Sequence, residues 1–273
     1  MSDLAAGGAT LALAPGRLEQ ALRGARDAGK KLLVPYVTGG LGKDWLEVVR
    51  AVAAAGADAI EIGIPFSDPV MDGPVIQAAS VQALEAGATP AGIIAALAGA
   101  EVDVPLAVMT YVNVVARTGY RRMARRLSES GVAGAIVPDL PIDEAGEWRR
   151  EAAEAGVECV LLAAPTTPDA RLVAICAASR GFVYAIGLLG VTGERSELAA
   201  SALTIAHRCR AVTDTPVLIG VGISTPEQAA QACSAADGVV VGSALVRRLL
   251  DGEGPEGAAR FVSSLRAELD ALG

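Results

Sequence analysis

ADAIEIGIPFSDPVMDGP, residues 57–74, begins as a buried strand and then breaks its own pattern. Strand side chains alternate with period two, so Ile60, Ile62 and Ile64 share one face and Ala59, Glu61 and Gly63 share the other. The branched face suits packing against helices, which turns Glu61 the opposite way. Behind it comes a Pro- and Gly-rich loop that offers Asp68 and Asp72.

Similar short β-branched runs recur along the chain: KLLVPYV (31–37), VPLAVMTY (104–111), VAGAIVPD (132–139), VECVLLAA (157–164), GFVYAIG (181–187), TPVLIGVG (215–222) and DGVVVGS (237–243). Stretches with helical spacing separate them, such as YRRMARRLSES, EAGEWRREAAEA and TPEQAAQACSAA. Eight alternating units without a break in composition predict an α/β fold, a single (β/α)8 TIM barrel over residues 17–273. GRLEQALRGARDAG (16–29) predicts an extra N-terminal helix over the barrel floor, preceded by a flexible N-terminus, residues 1–16. A short helix after the eighth strand is expected to serve phosphate binding.

Composition narrows the chemistry. The 273 residues are 52% hydrophobic and 20% charged, ample for one large core. A net charge of −8 opposes binding to nucleic acid. No apolar run reaches the ~18 residues of a membrane span, and the start lacks a basic leader, so a cytoplasmic location is expected. Cys159, Cys176, Cys209 and Cys233 lack metal-site spacing and read as reduced core residues, with neither zinc nor disulfide implied. The single histidine, His207, cannot build a multi-His metal site or a Ser-His-Asp triad, and reads as structural or solvent-facing. Lysine occurs only at 30, 31 and 43, so no central strand supplies a Schiff-base amine. Acid-base chemistry therefore falls to carboxylates, tyrosine and backbone.

Within a barrel, Glu61 points inward near the catalytic rim, where a buried carboxyl has a raised pKa suited to giving and taking protons. By residue type alone, a Glu paired with a floor arginine is the more ordinary outcome. Asp72 reads either as a turn former or as a rim carboxylate returned toward Glu61. Asp68 reads as a turn former or surface contact. GVGIST (220–225) and VVVGSALVRRLL (239–250) place Gly222, Gly242 and Ser243 on the two loops from which barrels build phosphate sites. GLLGVTGERSEL (187–198) reads as a lid carrying Thr192. Tyr184 is equally a packing residue or a hydroxyl aimed at Glu61.

Taken together, EIGIPFSDPVMDGPVIQ, VPYVTGG, MTYVN, VPDLP, GVTG, GVGIS and VGSALV, in this order, resemble the tryptophan synthase α subunit family over nearly the whole chain. That resemblance implies retro-aldol cleavage of indole-3-glycerol phosphate to indole and glyceraldehyde 3-phosphate. It implies Glu61 as the acid-base group, Asp72 as acceptor of the indole N–H, Tyr184 as orienter of Glu61, and Thr192 joining Asp72 on lid closure. Tyr36, Met109, Tyr111, Ile136 and Val221 are implied for the indole slot, and Gly193, Gly222, Gly242 and Ser243 for phosphate. Leu188 and Leu189 stand where the family's lid is more polar. Pro65, Asp68, Asp139 and Pro141 are implied to face a β subunit in an α2β2 complex, with pyridoxal phosphate belonging to that partner and no cofactor in this chain. A free-standing lyase and a silent activator of a β subunit are the alternatives. The Asp68 and PDLP motifs favour the partnered form, and retention of both Glu61 and Asp72 speaks against the silent one.

Overall fold

The computed structural model describes residues 14–187, 200–220 and 222–272. The chain opens with α1 (Arg17–Asp27), β1 (Leu32–Thr38), α2 (Trp45–Ala54) and β2 (Ile60–Gly63). Next come α3 (Pro74–Glu85), α4 (Pro90–Leu97), β3 (Leu106–Met109), α5 (Val112–Thr118), α6 (Tyr120–Glu129) and β4 (Val132–Ile136). The second half holds α7 (Gly146–Glu154), β5 (Glu158–Ala163), α8 (Asp169–Ala178), β6 (Val183–Ala185) and α9 (Ala200–Arg210). It finishes with β7 (Val217–Ile219), α10 (Pro226–Ala232), β8 (Gly238–Val241), α11 (Ser243–Leu250) and α12 (Gly254–Asp270). Each strand pairs in parallel with the next, and β8 returns to β1 through Leu32↔Gly238 to Pro35↔Val241, closing the barrel.

Every predicted strand run contains an observed strand, and the parity expected in residues 59–64 is the parity seen. Ile60, Ile62 and Ile64 belong to the cluster between strands and helices, with Leu33, Val108 and Leu161. Ala59, Ala107, Ile136, Val160, Leu218 and Val240 fill the interior. The helices follow local chemistry. In α6 the buried Met123, Ala124 and Leu127 recur at helical spacing while Arg121, Arg122, Arg125 and Arg126 stay exposed. α10 begins with a capping box in which Thr225 and Gln228 exchange bonds, with Pro226 at the first helical position.

The floor is sealed by α1, whose Leu18 and Leu22 enter the interior cluster beside Phe182. Its first turn is capped from a distance: the Glu158 carboxylate, at the foot of β5, accepts from the amides of Gly16 (3.0 Å), Leu18 (2.7 Å) and Glu19 (3.2 Å). These amides are orphan donors of a helix start, and a carboxylate there also complements the helix dipole. The four cysteines are buried and free, and His207 is exposed. Among the described residues no helix is long and apolar enough to cross a membrane.

Two close approaches shape the barrel mouth. A methyl group added at Gly63 would sit 1.8 Å from the Tyr36 hydroxyl, and one at Gly220 would sit 1.9 Å from the Tyr184 ring. Each tyrosine lies across the neighbouring strand, and only glycine leaves it that space. Gly220→Ala is therefore expected to expel the Tyr184 ring, at a stability cost of about 1–3 kcal/mol for overpacking. Urea denaturation measures that cost, and an unchanged midpoint would show that the ring is free to move.

Candidate active site

Glu61 is completely buried, flanked in the register by Tyr36 of β1 and Ala107 of β3. The small Ala107 leaves room for the carboxyl. Other buried acids are matched. Glu19 pairs with Arg23, Asp58 with Lys30 and Arg266, Glu151 with Arg121, and Asp237 with the Val217 amide. Glu158 is held by the amides of α1. Both oxygens of Glu61, by contrast, make no hydrogen bond of ordinary geometry and no ion pair among the described residues, the Tyr184 hydroxyl being the polar group that acts on them. The arginine-paired alternative for Glu61 is thus not the one the fold adopts.

Burial raises the pKa of Glu61 to about 8, and the charge of Asp72 adds to the rise; the Tyr184 hydroxyl favours the ionised form, a smaller effect. A carboxyl in this state is protonated at neutral pH yet close to releasing its proton, as general acid-base work requires.

Asp72 is delivered by the loop between β2 and α3. Gly73 and Pro74 start α3, and the Gln77 amide group donates to the Asp72 carbonyl (2.8 Å), fixing the loop's exit. Tyr111 braces its other side, stacking on Phe66 with ring centroids 5.0 Å apart and accepting from the Met71 amide (3.3 Å). Burial raises the Asp72 pKa, while the Tyr111 hydroxyl pulls it back down. Two carboxyl groups thus face one cleft, and Glu61 is the more strongly perturbed.

The cleft opens to solvent and, counted together with the open space at its mouth, spans about 790 Å³. Of the residues expected there, Tyr36, Glu61, Asp72, Met109, Ile136, Tyr184, Gly222, Gly242 and Ser243 line it. Tyr111 stands behind the wall as a brace. Thr192, Gly193 and Val221, like Leu188 and Leu189, lie outside the described residues. The rest of the lining includes Pro138, Leu162, Ile186, Ser224 and Val240. Four of these keep the alternation of residues already chosen: Pro138 is two beyond Ile136, Ile186 two beyond Tyr184, Ser224 two beyond Gly222, and Val240 two before Gly242. Counting by twos would have named these four, whereas Leu162 lies on β5, where no residue had been chosen. Met71 and Ile76 come from the Asp72 loop and the first turn of α3, which no strand period reaches.

At the end of the cleft lies the start of α11. Gly242 is its N-cap without any side-chain cap, so the amides of Ser243 and Ala244 lack intrahelical acceptors and point outward with the positive end of the helix dipole. The Ser224 hydroxyl nearby is shielded and has no partner among the described residues. The arrangement fits an anion.

The family model described as tryptophan synthase alpha chain matches residues 22–271. The chain belongs to that family. The tryptophan synthase alpha chain of Streptomyces coelicolor is 42% identical over 261 residues, covering 92% of this chain and 94% of the relative. That of Gluconacetobacter diazotrophicus is 44% identical over 233 residues, covering 84% and 85%. Among solved structures, tryptophan synthase from Mycobacterium tuberculosis superposes with a TM-score of 0.86 at 37% identity, covering 94% of this chain and 99% of that one. The tryptophan synthase alpha chain of Legionella pneumophila gives 0.86 at 30% identity, covering 95% and 99%. The (β/α)8 barrel is therefore also the architecture of the tryptophan synthase alpha chain family.

For the four residues expected at a partner surface, the fold separates two from two. Asp68 and Pro141 are exposed, whereas Asp139 is half-buried and accepts from the Val112 amide (2.8 Å) at the start of α5. Pro65 is buried in this chain. It follows Ile64, whose amide still bonds to Met109 of β3, so the chain has not yet left the barrel.

Proposed function

We infer that this chain cleaves indole-3-glycerol phosphate to indole and glyceraldehyde 3-phosphate, acting as a lyase in tryptophan biosynthesis. The observation that carries the reading is Glu61, a fully buried carboxyl with no cationic partner among the described residues, facing a second carboxyl in the cleft. Protonated Glu61 gives its proton to indole C3, and the ring becomes an indolenine that can accept the electrons of the breaking C–C bond. Asp72, ionised, accepts a hydrogen bond from the indole N–H and stabilises the positive charge that grows there. The Glu61 carboxylate then removes the proton of the glycerol hydroxyl. The C–C bond breaks, the aldehyde forms, and Glu61 is protonated again. No amine is needed as electron sink, consistent with a cleft whose lining includes no lysine.

Tyr184 orients Glu61, while Tyr36, Met109 and Ile136 hold the indole. Gly222, Gly242 and Ser243 hold the phosphate, joined in this reading by Gly193, while Val221 adds to the indole slot and Thr192 joins Asp72. Ser243→Glu, which sets a carboxylate against the substrate's phosphate, is expected to raise KM at least tenfold with a smaller effect on kcat. Steady-state kinetics checks it, and an unchanged KM would move the phosphate elsewhere.

A β subunit that uses the indole with its pyridoxal phosphate is the proposed partner, in an α2β2 complex in the cytoplasm. The exposed Asp68 and Pro141, with Val70 at 75% exposure on the same rim, support a docking surface beside the cleft. The deciding experiment is release of indole from indole-3-glycerol phosphate by the purified chain, alone and with a β subunit, across pH. Activity should rise with the partner. In kcat/KM it should fall above about pH 8 as Glu61 loses its proton, and fall in acid as Asp72 gains one. No indole under either condition would sink the assignment.

A further inference from the structure

We propose that Asp139 is a positioning residue for Asp72, anchoring the tyrosine that holds the Asp72 loop. The proposal rests on the indole-releasing reading and adds to it a residue outside the cleft.

Asp139 follows the end of β4 in a turn that the Leu140 amide closes on the Val137 carbonyl (3.2 Å). From there its carboxylate accepts from the amide of Val112, the first residue of α5 (2.8 Å). That helix has seven residues, no acid in its first turn, and an N-cap, Tyr111, that supplies no side-chain bond. So short a helix does not hold itself, and its first amide stands unserved at the positive end of the dipole. Asp139 supplies the missing acceptor and the complementary charge from the connection between β4 and α7.

What the anchor fixes is Tyr111. Its carbonyl accepts from Val114 (3.0 Å) and Val115 (3.3 Å), so its backbone belongs to the helix start that Asp139 secures. Only 3% of Tyr111 is exposed, its ring stacks on Phe66 at 5.0 Å, and its hydroxyl oxygen accepts from the Met71 amide at 3.3 Å. Phe66 lies early in the loop that carries Asp72 and Met71 stands next to Asp72, so one side chain spans the loop. A phenol has one proton to give. With Met71 serving its oxygen, that proton goes to the Asp72 carboxylate and favours its ionised form. Burial and the charges of Asp72 and Asp139 keep the proton on Tyr111. The other ionisable groups that the Asp72 charge reaches are Glu61, Tyr36 and Tyr184, on β2, β1 and β6. Asp68, on the loop itself, is exposed and bonded to Ser67. Asp139 thus sets, through a short helix and a tyrosine, where the charged member of the carboxyl pair stands.

The test compares Tyr111→Phe, Asp139→Ala, Asp139→Asn and the double variant Tyr111→Phe with Asp139→Ala against the parent chain. Carboxyl carbons of Asp and Glu are 13C-labelled and titrated by NMR, with Asp72 identified by Asp72→Asn, and indole release is measured with and without a β subunit. In Tyr111→Phe the Asp72 pKa is expected to rise by about one unit, since a donor to the charged form is gone. The kcat should drop roughly tenfold with KM changed less than about twofold, as for loss of one charge-assisted hydrogen bond. Asp139→Ala should move both the same way by less, and Asp139→Asn, which keeps an acceptor for Val112, should recover most of the change. The double variant should be no worse than Tyr111→Phe, because the two residues act in series. An unmoved Asp72 titration in Asp139→Ala overturns the proposal, as do effects that multiply in the double variant. A lowered urea midpoint with kcat and titration unchanged would leave Asp139 a helix cap alone, and a loss confined to assays with the β subunit would make it a partner contact; either overturns the proposal. The titration needs no turnover, so a parent chain that releases no indole would sink the lyase reading while the Asp72 titration still decides the role of Asp139.

Discussion

Glu61→Gln is expected to abolish indole release and, unusually for an interior substitution, to stabilise the chain increasingly as pH rises. The amide keeps the shape but carries no proton, and loss of a general acid-base group costs on the order of 10²–10⁴ in rate. The stability effect follows from linkage. The folded pKa of Glu61 is about 8 against an ordinary 4.5. Between these values the folded chain holds a proton that the unfolded chain has released, so this group's contribution to stability falls as pH climbs from 4.5 toward 8 and is level above it. At pH 7 the penalty is about 3 kcal/mol, reduced in the variant by the cost of burying an amide without partners. Urea denaturation at pH 5 and pH 8 is the check: the variant should gain on the parent between the two. A constant gap would mean that Glu61 titrates normally, and substantial indole release by the variant would remove it from the mechanism.

Asp72→Asn should slow cleavage by about 10²–10³, the scale of losing one group aimed at developing charge, with KM little changed. It carries a second signature. The charge of Asp72 helps raise the pKa of Glu61, so its removal should move the alkaline fall of kcat/KM below about pH 8. An unchanged rate would reduce Asp72 to a loop former. An unmoved alkaline limb at a reduced rate would separate the two carboxyls electrostatically.

Most of the barrel was legible in the sequence because its strands repeat one signal, a short branched run with turn residues behind it. The inward turn of Glu61 followed from alternation alone, since Ile60, Ile62 and Ile64 leave only one face to it. What alternation could not supply was company. Nothing local says that Glu61 lacks the arginine that Glu151 has, because Arg121 and Glu151 meet only once α6 and α7 pack. The space that the Tyr184 ring occupies depends on Gly220, just after the adjacent strand, a neighbour in space and not in sequence. The burial of Pro65 was not legible in its rim motif, since it depends on neighbours that the local sequence does not name. The second helices that follow β2 and β3, making the pairs α3–α4 and α5–α6, were not anticipated, since extra helices obey no barrel period.

The floor of the barrel carries a consequence for how the protein is made. α1 is complete in sequence before any strand, but the carboxylate that finishes its first turn lies 140 residues downstream of Leu18. At about 5–20 residues per second, synthesis leaves that helix without its cap for on the order of ten seconds. Eleven residues are too few to hold a helix unaided. During that interval Leu18 and Leu22 have no interior to enter, so the nascent chain is expected to be most exposed to proteases and chaperones until β5 has emerged.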